Sequence, residues 1–279
     1  MKALVTNKPP WEDRPYSLVS LWDIMIVYKA ERFLGITQKL ATIIRRIENM
    51  PSQNDLIVPS SHDTWRVELE RIEDDCKALS LEFAIDEIQR ITSNLKIYDY
   101  ARLGQRFSNL YERLYDETKR NLFLYVPKEK KRFYTESHDK FGLDTERFPS
   151  AKDEIEEAGK CYATGRNTAC VLHLMRILEI GLNALAKNFG IPYEHSNWDK
   201  IINQIPGKIN AIERNPNKPP NWQDDRKFYS ELASHFRFIK DAYRNYAMHV
   251  HERYDEGKAH SLYLQTSEFM RHLATKLSE

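Results

Sequence analysis

Near the C-terminal end of the 279-residue chain, the hexapeptide Arg244-Asn245-Tyr246-Ala247-Met248-His249 sets a guanidinium five residues ahead of an imidazole. That pair suits cleavage of a phosphodiester. Histidine titrates near neutrality and can take the proton of a ribose 2′-hydroxyl. Arginine carries its charge at all accessible pH and offers a planar fork of donors to phosphorus oxygens as negative charge builds there. Asn245, the polar residue directly after the arginine, is placed to orient either group. On an ideal α-helix five residues turn through roughly 500°, so the two side chains point about 140° apart. They converge only if the helix loosens at His249, if the arginine stem reaches round, or if a second chain supplies a partner.

Upstream on the same helix, Arg237, Lys240 and Arg244 fall within about 60° of one another and form a candidate phosphate-binding stripe. On the leucine-rich helix before it, His173, Arg176 and Glu179 make a polar stripe. Arg176 and Glu179 are candidates for a supporting role behind Arg244, with His251 a third. Five of the nine histidines lie in the last quarter of the chain. His249-x-His251 is a conceivable metal pair, as in a metal-dependent hydrolase, yet no acidic or thiol partner stands beside it at ligand spacing. Walker A, G-x-G-x-x-G, H-E-x-x-H and G-x-S-x-G sequences are all missing. No metal and no cofactor are expected.

Apolar residues at spacings of three and four, with only 9 glycines, call for an all-α protein. The length suits two domains, and 41% hydrophobic with 30% charged residues fits a folded chain. A first helix is expected from an N-cap at Ser17 to about Glu48. A second, from about Asp63, has Trp65, Leu69, Ile72, Cys76, Leu79 and Phe83 on one stripe. A third runs from near Tyr98 to Pro127. These make an N-terminal region, 1–148, whose last part, 127–149, reads as a basic linker. Residues 149–279 then form a four- or five-helix bundle. Its helices end at Gly165, at Gly190-x-Pro192, near Ile212 after an interruption at Pro206, at Met248 and at Leu277. The net charge of +1 offers no global basic field. Three cysteines without a C-x-x-C pair point away from disulfides or a zinc knuckle and toward a reducing, cytoplasmic setting. The apolar run Leu18–Val27 is too short to span a membrane, so no membrane partner is expected.

The stretch from about Phe148 to Leu277, a little under half the chain, resembles the HEPN superfamily, whose mark is Arg-x(4–6)-His with a polar residue after the arginine. Arg244, Asn245 and His249 carry that match. The segments Lys240-Asp241-Ala242-Tyr243 and Met248-His249-Val250 look like one bacterial subgroup. So do Ala158-Gly159-Lys160-Cys161-Tyr162 and His173-Leu174-Met175-Arg176-Ile177-Leu178-Glu179. The resemblance implies a four- or five-helix bundle and a metal-independent endoribonuclease of a toxin or antiviral system that leaves 2′,3′-cyclic phosphates. It also implies a homodimer that brings two Arg/His pairs together, with RNA as substrate. Some members carry, two residues after the histidine, a tyrosine that a partner nucleotidyltransferase antitoxin modifies. Here that position is His251, and the nearest tyrosine is Tyr254. The alternative expectation is a HEPN module without catalysis that binds nucleic acid, a nucleotide or a protein partner.

Overall fold

The computed structural model describes residues 30–121, 123–192, 198–218, 220–244 and 253–279. The expected N-cap at Ser17 and the apolar run Leu18–Val27 lie outside them, as do Asn245, His249 and His251. The protein is all-α: among the described residues 77% are helical, in eleven α-helices, and there is no strand. It divides into two compact units, Met1–Phe123 and Leu124–Glu279.

In the first unit, α1 (Ala30–Glu48), α2 (Pro59–Ala78), α3 (Glu82–Asn94) and α4 (Tyr100–Arg120) form a bundle. Ile36, Leu40, Ile43 and Ile47 bury one stripe of α1, and Leu103, Phe107, Leu110 and Leu114 one stripe of α4. Such i, i+3, i+4, i+7 spacing is what an amphipathic helix needs to cover one side of a core. The single stripe expected from Trp65 to Phe83 is broken instead. Helix α2 stops at Ala78, and Ser80 takes a left-handed conformation with φ of 55°. There the N–H of Leu81 returns to the carbonyl of Cys76. Phe83 lies in the first turn of a new helix and is 53% exposed. Glu117 of α4 receives the N–H groups of Phe83 and Ala84, each at 2.9 Å, and so caps α3 from a distance in sequence. Because a side chain on a left-handed residue is strained, Ser80→Gly is expected to stabilise the unit by about 0.5–1 kcal/mol. An unchanged or lower Tm would contradict that.

Glu87 of α3 is fully buried and sits among Arg106 at 3.2 Å, Arg113 at 3.3 Å and Arg90 at 3.9 Å. A carboxylate removed from water requires such partners, and here they arrive from two helices.

The second unit begins earlier than the sequence suggested. Residues 127–149 are not a solvated linker. They fold as α5 (Lys131–Thr135) and α6 (Ser137–Phe141), and Phe133, Phe141, Leu143 and Phe148 are all buried. Phe133 and Phe141 meet the ring of Tyr263 edge-on, with centroids 5.2 and 5.3 Å away. Lys130, from the basic run, pairs with Glu256 at 2.8 Å. The domain boundary therefore falls at 123/124 rather than 148/149. Aromatic burial outweighs the high local charge.

The rest of the unit is α7 (Ala151–Ala163), α8 (Asn167–Asn188), α9 (Trp198–Arg214), α10 (Trp222–Ile239) and α11 (Glu256–Leu273). Helix α8 packs against α7 and α11. Among the described residues it alone is long and apolar enough to cross a membrane, and most of that stretch is buried inside the unit. Helix α9 continues through Pro206, because Ile201, Ile202, Ile205 and Ile209 hold it on the core. Helix α10 leaves α geometry at Lys240 and runs as a π turn through Arg244.

His235 of α10 stacks on Phe269 of α11, centroids 4.1 Å apart. Burial pushes its pKa below the ordinary 6.5, and the nearby His272 adds to that shift. The folded chain therefore takes up this proton less readily than the unfolded chain. Its neutral form costs nothing above the ordinary histidine range, and stability falls as pH drops through that range and below it. His235→Phe is expected to flatten that part of the Tm-against-pH curve. A curve identical to wild type would contradict the assignment.

Candidate functional site

The approach to the hexapeptide is firmly built. Phe228, Leu232, Phe236 and Ile239 anchor α10 in the core. Tyr254, just past the motif, is buried. Its N–H donates to Thr168 Oγ1 at 3.2 Å and its hydroxyl to the Tyr243 carbonyl at 3.3 Å. The residues flanking 245–252 are thus tied to each other and to the start of α8. The π turn, Lys240–Arg244, takes in the arginine of the motif. Turns of this kind are rare and recur at functional sites.

The basic stripe is less available than its spacing suggested. Lys240 pairs with Asp199 of α9 and, at 2.9 Å, with Asp241, and its side chain is only 12% exposed. Those carboxylates hold its pKa above the usual lysine value. Arg237 reaches Asn203 of α9 at 3.4 Å. Both cations are turned to α9, so a phosphate would have to displace two carboxylates from Lys240.

Arg176 and Glu179 are not joined. Arg176 pairs with Glu154 of α7 through bonds of 2.7 and 2.8 Å, and Glu179 is half-buried. The Arg176 side chain is largely exposed, so this pair adds little to stability. His173, one turn earlier, puts Nδ1 2.8 Å from the other oxygen of Glu154. His173 and Arg176 of the α8 stripe therefore serve α7.

That contact leads to residues the sequence reading passed over. Glu154, Glu157 and Cys161 stand at i, i+3 and i+7 on α7, within about 60° of one face. His173 meets them from α8. Ligand-capable atoms of Glu157, Cys161 and His173 all lie within 4.8 Å of one another. Cys161 is buried, and the other two are half-buried. Bonding to Cys161 and then to Glu154 raises the His173 pKa to about 9 against the opposing effect of burial. Burial pushes Glu154 upward, but its bond to His173 and the charge of Arg176 win, leaving it below the usual carboxylate value. The thiol, carboxylate and imidazole together can hold a proton or a soft-to-borderline cation. The spacing on α7 was legible in the sequence; the arrival of His173 was not.

Family models, curated proteins and solved structures were all compared with this chain, and none matches it. What the fold defines is an all-α protein of two helical units. The second unit carries an Arg-x4-His sequence whose arginine lies in a π turn, and a Glu/Cys/His cluster between α7 and α8.

Proposed function

We propose that this protein is a metal-independent endoribonuclease of a prokaryotic toxin or defence system, working as a homodimer. His249 acts as the general base on the ribose 2′-hydroxyl, and Arg244 stabilises the charge that develops on phosphorus, with Asn245 orienting them. One observation supports this reading most: α10 widens into a π turn as it reaches Arg244. A π turn advances each residue by less than the roughly 100° of an α-helix. Over five residues that smaller advance would shrink the roughly 140° offset that a regular helix imposes on an arginine and a histidine at this spacing. A dimer reduces the requirement further, because the second arginine and histidine come from the partner.

The test is incubation of the purified full chain with mixed-sequence RNA in EDTA. Cleavage leaving 2′,3′-cyclic phosphate ends is expected. No cleavage, or cleavage that needs an added divalent metal, overturns the proposal.

The pairing of Lys240 with Asp199 and Asp241 favours a second reading, a HEPN module that docks on a protein partner without cutting RNA. In that case substitutions at 244 and 249 lower Tm and remove no activity.

A further inference from the structure

We propose that Glu157, Cys161 and His173 form a binding site for a zinc-class divalent cation, with Glu154 holding His173 from behind. The three residues are the donor types such an ion takes: thiolate sulfur, imidazole nitrogen and carboxylate oxygen. Their ligand-capable atoms already converge within 4.8 Å, drawn from two helices that the apolar core packs together. Little rearrangement is needed to close that triangle on an ion.

Glu154 adds the feature that ligating histidines usually have. It accepts from Nδ1 of His173 at 2.8 Å, which leaves Nε2 as the nitrogen an ion would take. Arg176 in turn holds Glu154. The carboxylate–imidazole pair is thereby oriented before any metal arrives.

A nucleophilic role for the thiol fits less well. Cys161 is only 3% exposed, so no substrate reaches its sulfur. A small ion needs only the opening that half-exposed Glu157 and His173 provide. Cys161 binds as the thiolate and His173 as the neutral imidazole, the thiol proton and the Nε2 proton both passing to solvent as the sulfur–metal and nitrogen–metal bonds form. Three protein ligands leave the fourth tetrahedral position to water. Borderline softness and the sulfur ligand favour zinc over magnesium or calcium, which take oxygen sets.

This site shares no residue with the Arg-x4-His sequence. Chelation is therefore expected to lower Tm while leaving RNA cleavage by the folded chain unchanged.

The test uses the full chain, stripped of metal and titrated with zinc or cobalt(II). Wild type is expected to retain one zinc per chain after dialysis, and its cobalt form to show a near-ultraviolet sulfur-to-cobalt charge-transfer band. Cys161→Ser abolishes that band, and Glu157→Gln weakens binding. Glu154→Gln weakens zinc binding about 10–100-fold, the usual cost of losing an outer carboxylate. Cys76→Ser, in the first unit, leaves binding intact. If Cys161→Ser does not fold, the two glutamine variants decide instead, and unchanged affinity in both overturns the site. Wild type that binds neither ion, or a charge-transfer band that survives in folded Cys161→Ser, also overturns it.

Discussion

Replacing His249 by alanine is expected to lower RNA cleavage by about 10²–10⁴-fold, the range that a positioned general base contributes. Arg244→Ala is expected to cost about 10²–10³-fold, as when a donor aimed at developing charge is removed. The two losses should not multiply in the double variant, because residues serving one reacting centre act as a unit. Arg244→Lys keeps the charge but loses the planar fork, and is expected to recover only part of the activity. Single-turnover cleavage of a defined RNA measures each rate, while far-ultraviolet circular dichroism and Tm check that the bundle is intact. Wild-type rates in both alanine variants would end the nuclease reading. Loss of Tm without loss of cleavage would point to a structural role for the pair.

The second large effect is on stability. Gly159→Ala is expected to destabilise the second unit by about 3 kcal/mol, at the upper end for overpacking a filled core. A Cβ at this position overlaps the carbonyl oxygen of Phe133 and comes within 2.8 Å of Ser137 Oγ and 2.9 Å of its Cβ. Neither obstacle yields easily. The first is backbone, and Ser137 is held by a 2.6 Å bond from its hydroxyl to that same carbonyl. Alanine's better helix propensity, about 1 kcal/mol, opposes the clash and is outweighed. At roughly 2–4 °C per kcal/mol, Tm should fall by about 6–12 °C. Gly35→Ala is the matched control, since a Cβ there meets no described residue within 4 Å. It is expected to be neutral or stabilising by up to about 1 kcal/mol. Equal Tm changes in the two variants would show that propensity, not the contact with α5 and α6, governs position 159.

Gly159 also marks where local reading stops. Its place in α7 follows from helical periodicity. That it is glycine because the α5–α6 segment presses onto it follows only from packing, and the packed segment is the one whose charge had suggested a linker. The same holds for Phe83. Spacing of three and four placed it on the stripe of α2, but that helix stops at Ala78, short of Phe83, and the left-handed Ser80 turns the chain. Periodicity records which residues can share a face; it does not record a chain reversal made by one backbone torsion. Proline was over-read at 206, where four buried isoleucines keep the helix whole.

The amino-acid sequence already specified an all-helical protein, because apolar spacing, few glycines and terminal Gly and Pro signals act within one element at a time. It also singled out arginine, asparagine and histidine at 244, 245 and 249, whose chemistry is intrinsic to their side chains. What lies between elements emerged only from their packing. Lys240 is neutralised by Asp199, 41 residues away. The 127–149 segment belongs to the second core. His173 meets Glu154, Glu157 and Cys161 across the α7–α8 contact. The reason is physical. Helix formation is governed by interactions over three or four residues, whereas ion pairs and clusters between helices depend on how whole apolar faces dock.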